Sequence, residues 1–167
     1  MKFFLKQQKG FTIVEIITVL FVISLGLVGV LSIIVQNISS QSFNKTGIIA
    51  YQLAQEGIEL VRHTRDTNFK ELSDFDDGLA PGSYFMDYLD EVPTLVSDPV
   101  LDIKLKQDNN GMYYHDRNSS DPDSGFSREI IITTKDDNSI YVLVVVSWPD
   151  HNLSRSYNLE TMLYDWR

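Results

Sequence analysis

The sequence predicts an α+β fold in which one long N-terminal α-helix precedes a C-terminal antiparallel β-sheet. Three observations support this. Residues 16–35 carry no charge. Apolar residues then recur at three- and four-residue steps, as in an amphipathic helix. The final third alternates between apolar and polar residues and is divided by turn signals, as in a series of strands.

The first element is a short basic leader, residues 1–10, followed by an apolar segment, residues 11–36. At about 1.5 Å per residue, the uncharged stretch covers about 30 Å, which is the hydrocarbon thickness of a bilayer. We therefore expect a single membrane-spanning helix. By the positive-inside rule, the leader lysines Lys2, Lys6 and Lys9 place the N-terminus in the cytoplasm and everything after residue 36 outside the cytoplasmic membrane.

Glu15 is the one ionisable residue of the apolar segment. A charge within a spanning helix costs about 2.5–3.5 kcal/mol on insertion scales, so a carboxylate near its start implies a role. A cleaved secretory signal explains the segment poorly. Its apolar run exceeds the usual core of about 7–15 residues, and residues 36–45 offer no A-x-A cleavage site.

The string Lys9-Gly10-Phe11-Thr12-Ile13-Val14-Glu15, between a basic leader and an unbroken span, resembles the precursors of type IV pilins and type II secretion pseudopilins. The resemblance implies that a prepilin peptidase cuts after Gly10 and that the new N-terminal Phe11 is methylated. Glu15 then becomes the fifth residue of the mature chain. The implied fold is pilin-like, with a helix packed on a sheet.

The same resemblance implies that the Phe11 amine pairs with Glu15 of a neighbouring subunit and fixes the axial register of a cell-surface filament. Cleavage would create an α-amino group, with an ordinary pKa of about 7.7–8.0, one helical turn from Glu15. Two alternatives remain open: an intrachain pair, or a Glu15 side chain that reaches the lipid headgroups. The implied partners are the prepilin peptidase, other pilin subunits and, indirectly, the assembly platform and its ATPase.

Residues 37–66 are predicted to form the amphipathic half of the same helix, which runs from about Phe11 to Arg65. Its apolar positions suit packing on a sheet, and they are Ala50, Leu53, Ala54, Gly57, Ile58 and Val61. We expect the helix to stop at residues 66–68 and an Arg62–Asp66 pair to form at i,i+4 spacing. Gly29 is the expected point of loosening. Ser32 occupies a position where Gram-negative pilins often have proline, so melting on assembly stays open.

Residues 67–100 are predicted to form an acidic, loop-rich connector, because acidic residues, glycines and prolines dominate and Lys70 is the one basic residue. Asp76 and Asp77, or Asp121, Asp123 and Ser124, could bind calcium. However, the chain has no D-x-[DN]-x-[DN]-G loop, so solvated turns are favoured and no metal site is predicted.

Residues 101–167 are predicted to form the antiparallel sheet, with turns at 136–138 and 149–152 and a meander as the simplest topology. Residues 140–146 are apolar throughout. This favours a central strand covered by the helix on one face and by loops on the other. Tyr141 and Trp148 are expected to be packing residues.

Composition excludes several classes of function. The 167 residues contain no cysteine, so disulfides, thiol catalysis and cysteine-bound metals are excluded. Loss of the leader lysines takes the side-chain charge from −9 to −12, and no basic run remains for nucleic acid. The three histidines, His63, His115 and His151, lack metal-ligand spacing. We expect no enzyme, no catalytic residues and no cofactor.

The sequence thus favours a structural subunit that polymerises into a type IV pilus-like or type II secretion filament. A minor pilin or pseudopilin is favoured over a major pilin because residues 50–62 resemble the corresponding region of minor pilin-like proteins and the C-terminal disulfide is missing. The alternative is an uncleaved single-pass membrane protein whose outer domain binds a ligand or partner.

Overall fold

The computed structural model describes residues 10–88, 90–91, 93–99, 102–115, 119–136, 138–150 and 153–166, without the side chain of Ser42. The elements are α1 (Ile13–Glu71), β1 (Gly82–Phe85), β2 (Thr94–Leu95), β3 (Lys104–Gln107), β4 (Tyr113–Tyr114), β5 (Asp123–Asp136), β6 (Ser139–Asp150) and β7 (Leu153–Tyr164). One long helix followed by antiparallel strands confirms the α+β prediction. The chain divides into two compact units, Met1–Lys45 and Thr46–Arg167.

In the N-terminal unit, α1 exposes apolar side chains on all sides. It is long and apolar enough to cross a membrane. Two of its hydroxyl groups bond within the helix: Thr18 Oγ1 donates to the Val14 carbonyl and Ser24 Oγ to the Phe21 carbonyl, both at 2.8 Å. Polar groups satisfied in this way suit an apolar solvent.

In the C-terminal unit, α1 buries one face against the sheet. Ala50, Leu53, Ala54, Ile58 and Val61 are all buried, which confirms the amphipathic pattern. The helix comes close to β6 at Gly57, where an added Cβ would lie 2.9 Å from Val144 Cγ1. The absence of a side chain at Gly57 therefore lets the helix reach the strand.

The predicted end of the helix was wrong. The helix begins at Ile13, close to the predicted start at about Phe11, but it continues past residues 66–68 to Glu71. Phe69 is buried, with its ring centroid 4.6 Å from that of Trp166, so core packing extends the helix beyond the stop signals. Leu72 then ends it with a positive φ of 60°.

The predicted Arg62–Asp66 ion pair is also replaced. Arg62 Nη1 lies 2.7 Å from Glu59 Oε1, three residues earlier, and Arg65 Nη2 lies 2.7 Å from Asp66 Oδ1. The Arg65 guanidinium also lies 5.7 Å from the centroid of the Phe69 ring. The helix thus uses its basic residues in local pairs along its exposed side.

All strand pairs are antiparallel, and β5 is the centre of the sheet. One side of β5 pairs with β1 and β3, and the other pairs with β6, which in turn pairs with β7. The meander prediction is confirmed for β5, β6 and β7, but before them β5 pairs with β3 rather than with β4, which lies outside β3. Strands β1 and β2 lie inside the segment predicted to be loop-rich. This segment joins the sheet because Tyr84 of β1 pairs with Ile130 of β5 and packs in the core.

Strand β6 is not covered on both faces as predicted. Its even-numbered residues from Ile140 to Trp148 are buried beneath the helix, while the odd-numbered residues from Tyr141 to Ser147 are only half-buried. Trp148 is a packing residue, as expected. Tyr141 instead lies on the opposite face, where its hydroxyl donates to Glu160. This bond to a carboxylate raises the pKa of Tyr141.

A buried ionic network links the helix to three separate parts of the sheet unit. Arg128 of β5 is fully buried, and its Nη1 lies 3.1 Å from Glu56 Oε2 on α1. Its Nη2 donates to the Met86 carbonyl at 2.7 Å and lies 3.4 Å from Asp87 Oδ1. The arginine therefore fixes the segment after β1 against the helix.

His115 completes this network. Its ring Nδ1 lies 2.7 Å from Asp87 Oδ1, and its backbone N–H donates to Asp87 Oδ2, also at 2.7 Å. The histidine side chain is 3% exposed. Asp87 thus contacts both the end of β4 and the arginine of β5, so the network of Glu56, Arg128, Asp87 and His115 organises the interior.

Candidate functional site

The predicted cleavage junction lies immediately before α1. Gly10, Phe11 and Thr12 have no regular secondary structure. Gly10 is exposed, and a Cβ added to it would meet no neighbouring atom within 4 Å, while the Phe11 side chain is 78% exposed. A peptide bond in this setting is sterically open to a peptidase, because neither residue is held in helix or core packing.

Thr12 caps the helix that follows the junction. Its Oγ1 accepts a hydrogen bond from the Glu15 backbone N–H at 3.2 Å, and its carbonyl accepts one from the Ile16 N–H at 3.2 Å. This cap was not among the features predicted from the sequence. The signal was present, since Thr12-Ile13-Val14-Glu15 is a T-x-x-E string before an apolar run, the signature of a capping box.

Glu15 therefore occupies the third position of the first helical turn. Its side chain is exposed, and within the described ranges no cation forms an ion pair with it. A carboxylate in the first turn is favoured by the helix dipole. Because the Glu15 side chain is exposed, its carboxylate oxygens are accessible to an external donor.

The other candidate residues are scattered. His63 is exposed on α1, His115 belongs to the buried network, and His151 lies outside the described residues. In the part of the chain that the structure describes, no three histidine or acidic residues are arranged to hold a metal ion. In the second calcium candidate, Asp123 accepts from the Gly125 N–H in a turn, and Asp121 accepts from the Tyr114 hydroxyl.

Two open cavities in the C-terminal unit are acidic. One, of about 470 Å³, is lined by Glu56, Glu59, Arg62, His63 and Asp66 among others. The other, of about 480 Å³, is lined by residues that include Asp87, Asp108, Tyr114, His115 and Asp121. In the lining of the second cavity, Tyr114 and His115 bond to the carboxylates of Asp121 and Asp87, respectively.

Comparison with known proteins identifies the N-terminal site. Residues 5–31 match the family model of the prokaryotic N-terminal methylation motif, which is the hallmark of type IV pilins and pseudopilins. The matched segment includes Gly10, Phe11, Thr12 and Glu15. No curated protein and no solved structure matches the chain. The leader and the apolar helix support membrane anchoring. The chain thus carries the N-terminal signature of the type IV pilins and pseudopilins, a structural class whose precursors are processed by a prepilin peptidase.

Proposed function

We propose that this chain is a minor pilin or pseudopilin that is cut after Gly10 and polymerises through its N-terminal helix. The observation that carries the proposal is the position of the matched motif. The exposed Gly10–Phe11 junction stands directly before a capped helix whose first turn holds Glu15. Hydrolysis there would leave a free amine on Phe11, close to the start of a long apolar helix.

The proposed topology is a single span with the N-terminus in the cytoplasm and Thr46–Arg167 outside. The exposed apolar side chains between Ile13 and Ile38 need an apolar environment, and a bilayer provides it before assembly. In a filament, the same side chains would pack against the helices of other subunits. Removal of the lysine-containing leader would eliminate the charges that hold the helix in the membrane.

Glu15 would give each incoming subunit its axial position. A carboxylate and an amine that are both taken from water into a helical bundle stabilise each other only when they meet at short distance. The amine of one Phe11 would therefore form an ion pair with Glu15 of a neighbouring subunit. The capping bond from Thr12 would support this by holding the first turn of the helix in place.

The sheet unit would be displayed on the filament surface. Its open cavities, which acidic side chains line, support a binding or packing role. A minor or pseudopilin role rests on the likeness of residues 50–62 to minor pilin-like proteins and on the missing cysteines. An uncleaved membrane-anchored binding protein is the alternative. It gives no reason for a capped Glu15 beside a Gly–Phe junction.

The experiment is a filament incorporation assay in the native host, with Glu15→Gln compared with wild type. We expect wild-type chain in filaments sheared from the cell surface. Glu15→Gln should be processed normally and stay in the membrane, because it keeps the side-chain shape but loses the charge that pairs with the amine. The matched control is Glu59→Gln, on an exposed turn of the same helix. Equal incorporation of both variants would contradict the role of Glu15, and absence of wild-type chain from filaments would contradict polymerisation.

A further inference from the structure

The two edges of the sheet differ sharply. On the side where β5 pairs with β1 and β3, the outermost strands β2 and β4 have two residues each. On the other side the sheet ends at β7, which has twelve residues and, of the strands that the structure describes, pairs only with β6. Very short edge strands protect a sheet against pairing with another chain, whereas a long one invites it.

Strand β7 also lacks two usual forms of edge protection, since it contains neither proline nor lysine and its charged residues are limited to Arg155 and Glu160. Its register with β6 is continuous from Ser139↔Tyr164 to Asp150↔Leu153, without the register shifts found in the pairings of β5 with β3 and β6. Alternate N–H and C=O groups of β7 therefore form a regular row directed away from β6. An extended chain running antiparallel to β7 could bond to that row.

The polarity of β7 is nearly symmetric about Asn158. In an antiparallel pairing of two β7 strands centred on that residue, Asn158 would face its counterpart in the second copy. The flanking cross-strand pairs would be Tyr157 with Leu159, Ser156 with Glu160, Arg155 with Thr161, Ser154 with Met162 and Leu153 with Leu163. Most pairs match in polarity and no two like charges are opposite, which is the condition for a stable antiparallel ladder.

The helix leaves room for such a partner. A cavity of about 200 Å³ runs between α1 and the edge of β7, lined by Gln55, Ile58, Glu59 and Arg62 on one side and by Leu159, Glu160 and Thr161 on the other. In the register centred on Asn158, Tyr157 of the second copy would lie opposite Leu159, next to this cavity. Because the Tyr157 ring packs edge-on against Tyr51 of its own chain, with 5.7 Å between the ring centroids, it would extend the apolar surface beside this cavity.

We propose that β7 pairs antiparallel with β7 of a second copy of this chain, in the register centred on Asn158, so that one sheet continues through both copies. A second copy is the chosen occupant because β7 is the one long strand in the described ranges with an unpaired edge, and its own sequence complements it. The contact is two-fold symmetric, with the same surface on both sides. It is therefore separate from head-to-tail association of N-terminal helices and does not depend on cleavage at Gly10.

Disulfide cross-linking tests this pairing, and because the chain has no native cysteine, any cross-link must involve the introduced one. The full-length Asn158→Cys variant would be oxidised in detergent micelles, and we expect it to form a disulfide-linked dimer. Facing residues of an antiparallel pair lie about 4.5–5.5 Å apart at Cα, within disulfide range. Ser156→Cys alone should not cross-link, because its two copies would lie about 14 Å apart. A mixture of Ser156→Cys and Glu160→Cys should cross-link between the two variants.

The matched control is Thr94→Cys on the short edge strand β2, which is also exposed. At least tenfold more dimer for Asn158→Cys than for Thr94→Cys, together with the mixed cross-link, would support the proposal. A monomeric Asn158→Cys, or equal dimer yields at both edges, would overturn it. The same variant oxidised in native membranes provides a second readout. A cross-link to a different polypeptide and none to this chain would assign the edge to another partner and refute self-pairing.

Discussion

The two ends of α1 share one secondary structure and have opposite relations to solvent. Between Ile13 and Ile38 the apolar side chains are exposed, whereas from Ala50 to Phe69 most of the apolar residues are buried against the sheet. The glycines show the same contrast. A Cβ at Gly26 or Gly29 would meet nothing within 4 Å, but one at Gly57 would meet Val144. The first half of α1 needs an external partner, and the second half already has one inside the chain.

The largest expected effect is on the buried network of the C-terminal unit. Arg128→Met should lower the free energy of unfolding by about 3–5 kcal/mol, because it leaves Asp87, Glu56 and the Met86 carbonyl without their cation. Arg155→Met is the control. Its partner Asp150 lies 2.9 Å away, but the pair is largely exposed, so the cost should stay below about 1 kcal/mol. Denaturant unfolding of both variants measures the difference, and equal losses would show that burial of Arg128 is unimportant.

Replacing glycine by alanine should change the stability of the C-terminal unit in opposite directions at two positions of α1. Gly57→Ala should destabilise the C-terminal unit by about 1–3 kcal/mol, because the new methyl group overlaps Val144 and approaches Arg128 Cδ at 3.5 Å. Gly47→Ala, on the same helix with no neighbour within 4 Å, should stabilise it by about 0.5–1 kcal/mol. Thermal unfolding followed by circular dichroism compares them. A stabilising Gly57→Ala would mean that the helix does not approach β6 as closely as described.

The helix cap predicts a local effect at the other end. Thr12→Ala should cost about 0.5–2 kcal/mol in the first helical turn, because the Glu15 N–H loses its acceptor. Amide hydrogen exchange in detergent micelles should show faster exchange at Glu15. Thr18→Ala, which removes a hydroxyl bonded inside the helix, should leave that amide unchanged. Identical exchange in Thr12→Ala and wild type would contradict the capping bond.

The smallest expected effect concerns Asp108 in the turn between β3 and β4. Its Oδ1 accepts from the N–H groups of Met112 and Asn110, at 2.8 Å each, and the Met112 bond is the main cause of its lowered pKa. A lowered pKa in the folded state stabilises the protein above the ordinary carboxyl pKa of 3.8, and this contribution is lost as pH falls through the folded value. Asp108→Asn should therefore lower the melting temperature slightly at pH 7 and not at about pH 2. A shift of equal size at both values would exclude this charge effect.

The N-terminal site could be predicted because its signals are local. Gly10, Phe11 and Glu15 lie within six residues of each other, and the apolar run and basic leader adjoin them, so the pattern is complete in one stretch of sequence. The order of the last three strands could also be predicted, since short turns join neighbours along the chain. Even here the cap at Thr12 was not predicted, although its T-x-x-E signal was present.

The buried network could not be predicted because its members are far apart in sequence. Glu56, Asp87, His115 and Arg128 come from the helix, the segment after β1, the end of β4 and the middle of β5. No spacing rule joins such residues, and only the pairing of β5 with β1 and β3 brings them together. The end of α1 was missed for a similar reason, since the burial of Phe69 against Trp166 outweighs local stop signals.

Processing after Gly10 separates a pilin-like subunit from an uncleaved membrane protein, and the N-terminus of the chain in native membranes reports it. Mass spectrometry would compare wild type with Gly10→Ala and with a strain that lacks its prepilin peptidase. We expect a wild-type peptide that begins at N-methylated Phe11 and is missing from both controls. A wild-type chain that still begins at Met1 would refute processing and favour an uncleaved membrane-anchored binding protein.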